Sequence, residues 1–89
     1  MLNSKLFDKL TVDEMKTVIL RNKVLSKIMT EDRTDDEGKN FKSIDKLAEE
    51  EVDGSAIGDV DDDFLKDNFG IAKKPHRVLF LNFVKKNKG

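Results

Sequence analysis

Cysteine, tryptophan and tyrosine are absent from this 89-residue chain, and histidine and proline occur once each. Without cysteine there is no disulfide framework and no thiolate metal site, a composition compatible with a reducing compartment. With His76 as the single histidine, every Ser/His/Asp or Cys/His arrangement rests on that residue alone, and no glycine-rich phosphate loop is present. His76 therefore reads as a packing or partner-contact residue, and the chain as non-catalytic, with no metal or cofactor expected. No run of about 18 uncharged apolar residues exists to span a membrane, and the first residues lack the apolar core of a signal peptide. The expected setting is soluble and intracellular, with the cytoplasm the expected location. A chain of this length builds one small core and has little material left for a large active-site cavity.

Charge is plentiful and segregated. Residues 1–30 carry six basic and three acidic side chains, residues 31–67 five basic and fifteen acidic, and residues 72–89 six basic and none acidic. The overall net charge of -1 thus conceals a basic start, an acidic middle and a basic end. A solvated face accounts for such runs in many proteins. A dipolar surface also recruits partners, or copies of itself, by complementarity.

Helical punctuation is clear along the chain. Thr11-Val12-Asp13-Glu14 has the form of a capping box, with Leu10 and Met15 placed as a hydrophobic staple. Met15, Val18, Ile19, Leu25, Ile28 and Met29 continue a helical period to about residue 29, as one helix or as two broken near Asn22. Residues 1–9 read as an extension before this start. Residues 30–40 have no apolar side chain and no period, and read as an exposed mobile loop. Their acids do not match a calcium loop. Counted from Asp32, Glu37 stands where glycine is required and Ser43 where the bidentate glutamate is required, and a register starting at Glu49 puts Val60 in that last place.

Phe41, Ile44, Leu47 and Ala48 predict a short helix over about 40–51, ended at Val52-Asp53-Gly54, where glycine supplies a positive φ. Ser55-Ala56-Ile57 gives at most one turn. Asp61 is a good N-cap, Asp62 and Asp63 suit the positive end of the helix dipole, Phe64, Leu65 and Phe69 point inward, and Gly70 is a C-terminal stop. Pro75 opens a last, long helix through Val78, Leu79, Phe80, Leu81, Phe83 and Val84, apolar on most sides and expected to be buried centrally.

Taken together, Val52-Asp53-Gly54, Ala56-Ile57, Val60, Asp61-Asp62-Asp63, Leu65, Gly70-Ile71, Pro75-His76-Arg77, Phe80-Leu81 and Val84 resemble, in order and spacing, the sterile alpha motif (SAM) domain. Leu10-Thr11-Val12-Asp13-Glu14 is similar to the start of that family's first helix. Gly58 replaces the second residue of the family's apolar pair, no tryptophan is present, and segment 30–40 stands as an acidic insertion. The resemblance implies an all-α, five-helix SAM-like bundle over residues 10–88 with a long C-terminal helix, serving protein–protein association. It further implies two surfaces. An end-helix surface draws on Lys73, Lys74, His76 and Arg77, and a mid-loop surface on Asp53, Asp59, Asp61, Asp62 and Asp63. The partner implied is another SAM domain or a second copy, joined head to tail.

Exposed ion pairs contribute about 0.2–1 kcal/mol each and are screened over about 8 Å at physiological salt. Micromolar binding needs about 8 kcal/mol. Charge then sets orientation and on-rate, and Ile57, Val60 or Ile71, if exposed at the edge, supply the apolar anchor. Two alternatives use the basic residues differently. An RNA-hairpin reader would present Lys73, Lys74, Arg77, Lys85, Lys86 and Lys88 to phosphates, against an acidic middle, a pI near 5.8 and no Tyr or Trp for stacking. A lipid-surface helix over Val78 to Lys88 would leave the core short of apolar side chains.

Overall fold

The computed structural model describes residues 6–88 and is mostly helical. Five α-helices run Val12–Arg21 (α1), Lys23–Thr30 (α2), Lys46–Glu49 (α3), Asp62–Asp67 (α4) and Lys74–Lys88 (α5), with short 3-10 turns at Phe7–Lys9, Ser43–Asp45 and Ile57–Asp59. The long C-terminal helix is present as expected. The all-α expectation holds in its coarser form, a mostly helical fold, to which a small two-stranded antiparallel hairpin is added, Arg33–Thr34 (β1) with Asn40–Phe41 (β2).

Both halves of the capping box form at Thr11 and Glu14, which starts α1 where the sequence indicates. The chain breaks at Asn22, whose side-chain oxygen accepts from the amides of Val24 and Leu25 at 3.1 and 3.0 Å. The period from Met15 to Met29 is thus carried by two helices sharing one cap. Asp61 caps α4 through the Phe64 amide at 2.8 Å, and Gly70 takes φ +70 beyond it.

Four local expectations are overturned. Segment 30–40 is not a structureless loop, since Thr30 ends α2 and residues 33–40 lie in the hairpin: Asp35 Oδ1 accepts from the amides of Glu37 and Lys39, both at 2.9 Å, and Gly38 takes φ +80. A single carboxylate oxygen that satisfies two turn amides replaces the apolar side chains the segment lacks. The helix over 40–51 begins only at Lys46, because Asn40 and Phe41 pair with β1 and a 3-10 turn follows. At Gly54 the need is space, not a positive φ. A Cβ there would meet the Phe7 carbonyl oxygen and lie 2.7 Å from the Leu10 nitrogen, while the positive φ of this turn falls on Glu51. Lastly, the extension over 1–9 enters the core from Phe7, which is buried and packs its ring edge-on to Phe83 at 6.1 Å; positions 1–5 lie outside the described residues.

Met15, Ile19, Leu25, Met29, Leu47, Leu65, Phe69 and Phe80 form the fully buried centre. Phe69 touches both Phe64 and Phe80, with centroids 5.6 and 6.2 Å apart, and so ties α4 and the turn after it to α5. That turn is fastened by side chains remote in sequence. The carbonyls of Phe69, Gly70, Ile71 and Ala72 accept, in order, from Ser43 Oγ (2.5 Å), Arg33 Nη1 (3.1 Å), and Arg77 Nη1 twice (2.9 and 2.8 Å). An irregular stretch with buried carbonyls needs such donors, since no helix or strand supplies them. Their effect is to fix where α5 begins, and with it the position of the basic cluster at its start.

Candidate functional site: a basic, apolar-floored groove at the start of the last helix

Helix α5 leaves the core at its first turns. Its buried stripe is Arg77, Phe80 and Val84, with Leu81 and Phe83 partly covered, while Val78 and Leu79 are 42% and 43% exposed. Adjacent residues on a helix point about 100° apart, so a run of six apolar residues cannot all face one core. Leu79 instead faces the α1–α2 corner. There it shares a groove of about 660 Å³ with Leu20 and Val24, which are 40% and 53% exposed. The rim carries Lys23 and Lys27 from α2 and Lys73 and His76 from the start of α5, with Glu31 the one acid among the lining residues.

Among the described residues Lys23, Lys27, Lys73 and Lys74 form no ion pair, whereas Arg33, Lys42, Lys46 and Arg77 each have a carboxylate partner. Three of the five cations of the acidic middle, Arg33, Lys42 and Lys46, are thus paired within the fold, whereas among the described residues those around the groove are not. The first turn of α5 contains no acidic residue, so the positive end of its dipole adds to the same field.

The structure divides the expected end-helix residues. Lys73 and Lys74 are exposed, and His76 is half-buried on the groove wall. Arg77 turns the other way and is 7% exposed, with Nε 2.7 Å from Asp62 Oδ1 and Nη1 on two carbonyls. Its expected role as a contact residue is therefore corrected. Burial of a guanidinium demands partners for its donors, and Asp62 and the Ile71–Ala72 backbone provide them.

The expected mid-loop acids divide as well. Asp62 is consumed by Arg77, which places one residue from each expected surface in a single internal pair. Asp61 serves as the α4 cap. Asp53 accepts from the Ser55 hydroxyl at 2.7 Å and from the amides of Ser55 and Ala56 at 3.0 Å each, bonds that hold its carboxyl below the usual value, the hydroxyl first and the Ala56 amide next. Asp59 and Asp63 are exposed, and among the described residues they have no ion-pair partner. The expected apolar anchors are all interior: Ile57 and Ile71 are 0% exposed and Val60 is 9%. Each belongs to the core because it sits beside a turn that folds back over the bundle.

Sequence reasoning missed Leu20, Val24 and Leu79. The available signal was in the patterns themselves, since Leu20 and Val24 lie off the Met15–Ile19–Leu25 stripe and Leu79 is one neighbour too many in the α5 run. Among the described residues no group of three His, Cys, Asp or Glu side chains is arranged to hold a metal ion, and no helix is long and apolar enough to cross a membrane. Compared with known proteins, the chain matches no family model, no curated sequence and no solved structure.

Proposed function

We propose that this chain is a non-catalytic protein-interaction module, a divergent relative of the SAM domain. It associates through the basic surface at the start of α5 and, on its other side, through an acidic surface around α4. The observation that carries the reading is a basic rim around an apolar groove, with no ion pair among the described residues: three lysines and His76 surround three exposed aliphatic side chains. Such a surface stays soluble as a monomer and gains on association, because cations steer an acidic partner while aliphatic burial supplies the affinity. Lys73, Lys74 and His76 remain as the end-helix residues, and Arg77 becomes the strut behind them. On the opposite surface Asp59 and Asp63 are exposed and, among the described residues, without ion-pair partners, while Asp53 and Asp61 are engaged with backbone amides.

Contact between two such surfaces is heterologous and head to tail. Ion pairs alone make it weak, at about 0.2–1 kcal/mol each, and strongly dependent on salt. The test is sedimentation of the chain over a range of concentrations in low and high salt, beside the double variant Lys73→Glu/Lys74→Glu. The expected result is a mass that rises with concentration at low salt, falls to the monomer at high salt, and stays monomeric in the double variant with an unchanged circular dichroism spectrum. Sedimentation and partner titrations that do not distinguish the double variant from the parent would remove the end-helix assignment. The RNA-hairpin alternative loses weight with Arg77 buried and with Lys85, Lys86 and Lys88 about 18–22 Å along α5 from Lys73, at 1.5 Å per residue. A salt-dependent shift of a hairpin RNA, absent with duplex DNA, would restore it.

A further inference from the structure

We propose that the groove between the α1–α2 corner and the first turns of α5 receives an amphipathic helix of another protein, one whose apolar stripe is flanked by Asp and Glu. The inference rests on the interaction-module reading and adds the chemistry of the partner. Single exposed aliphatic residues are ordinary on any protein surface. Here Leu20, Val24 and Leu79 converge in one concavity, contributed by three different helices or helix ends.

The dimensions suit a helix. Lys73, His76 and Leu79 recur every three residues, forming a wall about 9 Å long at 1.5 Å per residue. The opposite wall is formed by Leu20 at the end of α1 and by Val24 and Ile28, one turn apart on α2. A groove with one wall of that length accepts about two turns of a partner helix, whose anchors at i and i+4 would fall on the aliphatic floor. The charge of the partner follows from the rim, where Lys23, Lys27, Lys73 and His76 face a single acid, Glu31.

A second copy of this chain does not meet both requirements. Fifteen of its eighteen acids lie over residues 31–67, and among the described residues none of the exposed large hydrophobic side chains, which are Leu6, Leu20, Val24, Val78 and Leu79, falls in that span. The acidic face of a copy brings charge without an anchor, so the anchor and the acids must come together on a different protein. A nucleic acid brings phosphates, but the floor of Leu and Val presents no aromatic ring for base stacking.

The test is a selection from a displayed library of random 16-residue peptides, followed by titration of the enriched peptides by fluorescence anisotropy. The titrations use the parent chain and three variants: Val24→Asp, Leu79→Asp and Lys23→Glu/Lys27→Glu. All four positions are exposed, and circular dichroism verifies the fold of each variant. The proposal expects enriched peptides with apolar residues at helical spacing and Asp or Glu beside them. It also expects binding about tenfold or more weaker for each aspartate variant, and a loss of salt dependence for the double lysine variant. Selection of basic, non-amphipathic or no peptides, or equal binding by the parent and the aspartate variants, would overturn it. Failure here with salt-dependent self-association intact leaves the interaction reading standing, whereas hairpin RNA binding without either removes both.

Discussion

Replacement of Arg77 by methionine separates a strut from a contact residue. The guanidinium makes three short bonds, to Asp62 Oδ1 at 2.7 Å and to the carbonyls of Ile71 and Ala72 at 2.9 and 2.8 Å. Methionine fills much of the stem volume but donates nothing. Asp62 is 43% exposed, so its carboxylate rehydrates and its share of the loss is small, about 0–1 kcal/mol. The Ile71 carbonyl is buried, and leaving it without a donor costs about 1–3 kcal/mol, whereas Ala72 is exposed and water replaces much of its bond, at a cost of about 0–1 kcal/mol. The sum is about 1–5 kcal/mol, against a total stability of roughly 4–13 kcal/mol for a chain of this length. Urea denaturation followed by circular dichroism measures it, with Asp62→Asn as the companion variant, expected to lose less than about 1 kcal/mol because the carbonyl bonds survive. An Arg77→Met protein within about 1 kcal/mol of the parent, or one fully stable but defective in binding, would refute the strut and return Arg77 to the docking surface.

Gly54→Ala should destabilise by about 1–3 kcal/mol or more, because its Cβ meets backbone that side-chain rearrangement cannot move; limited proteolysis should then cut near Phe7–Leu10, which the Gly54 amide holds through the Leu10 carbonyl at 2.8 Å. Ser43→Ala should lose about 1–3 kcal/mol in urea denaturation, since the buried Phe69 carbonyl has the Ser43 hydroxyl at 2.5 Å and alanine offers no donor. For pH, the Asp53 carboxyl is lowered in the folded chain, so its contribution to stability is fully present above the unfolded value near pH 4 and is lost as pH falls through the lower folded value. Asp53→Ala should flatten the urea midpoint in that acid window and leave its slope at neutral pH alone.

Caps and stops were legible in the sequence because they depend on a few adjacent atoms. Thr11 with Glu14, Asp61 and Gly70 act as their residue types and positions indicate, and the period from Met15 to Met29 identified a buried stripe. The hairpin over 33–41 was not legible, because it is stabilised by Asp35 binding its own turn and by Arg33 reaching the carbonyls of Ile28 and Gly70, the second of these 37 residues away. Gly54 is required by a close approach of distant backbone, which leaves no local trace in the sequence. The basic half of the site was legible as Lys73, Lys74 and His76. The apolar half was not, because the exposure of Leu79, Leu20 and Val24 depends on how α5 leans on the α1–α2 corner. Arg77 shows the same limit from the other side, since charge in a sequence says nothing of burial until its partners are placed.

The most direct test of the two-surface account is an amide chemical-shift map of the isotope-labelled chain, recorded at low salt from dilute to concentrated solution. The account predicts shifts confined to Lys73, Lys74, His76 and their groove neighbours on one side and to Asp59, Asp61 and Asp63 on the other, all reversed by salt. Shifts centred on Lys85–Lys88 or on the hairpin, or a spectrum independent of both concentration and salt, would contradict it.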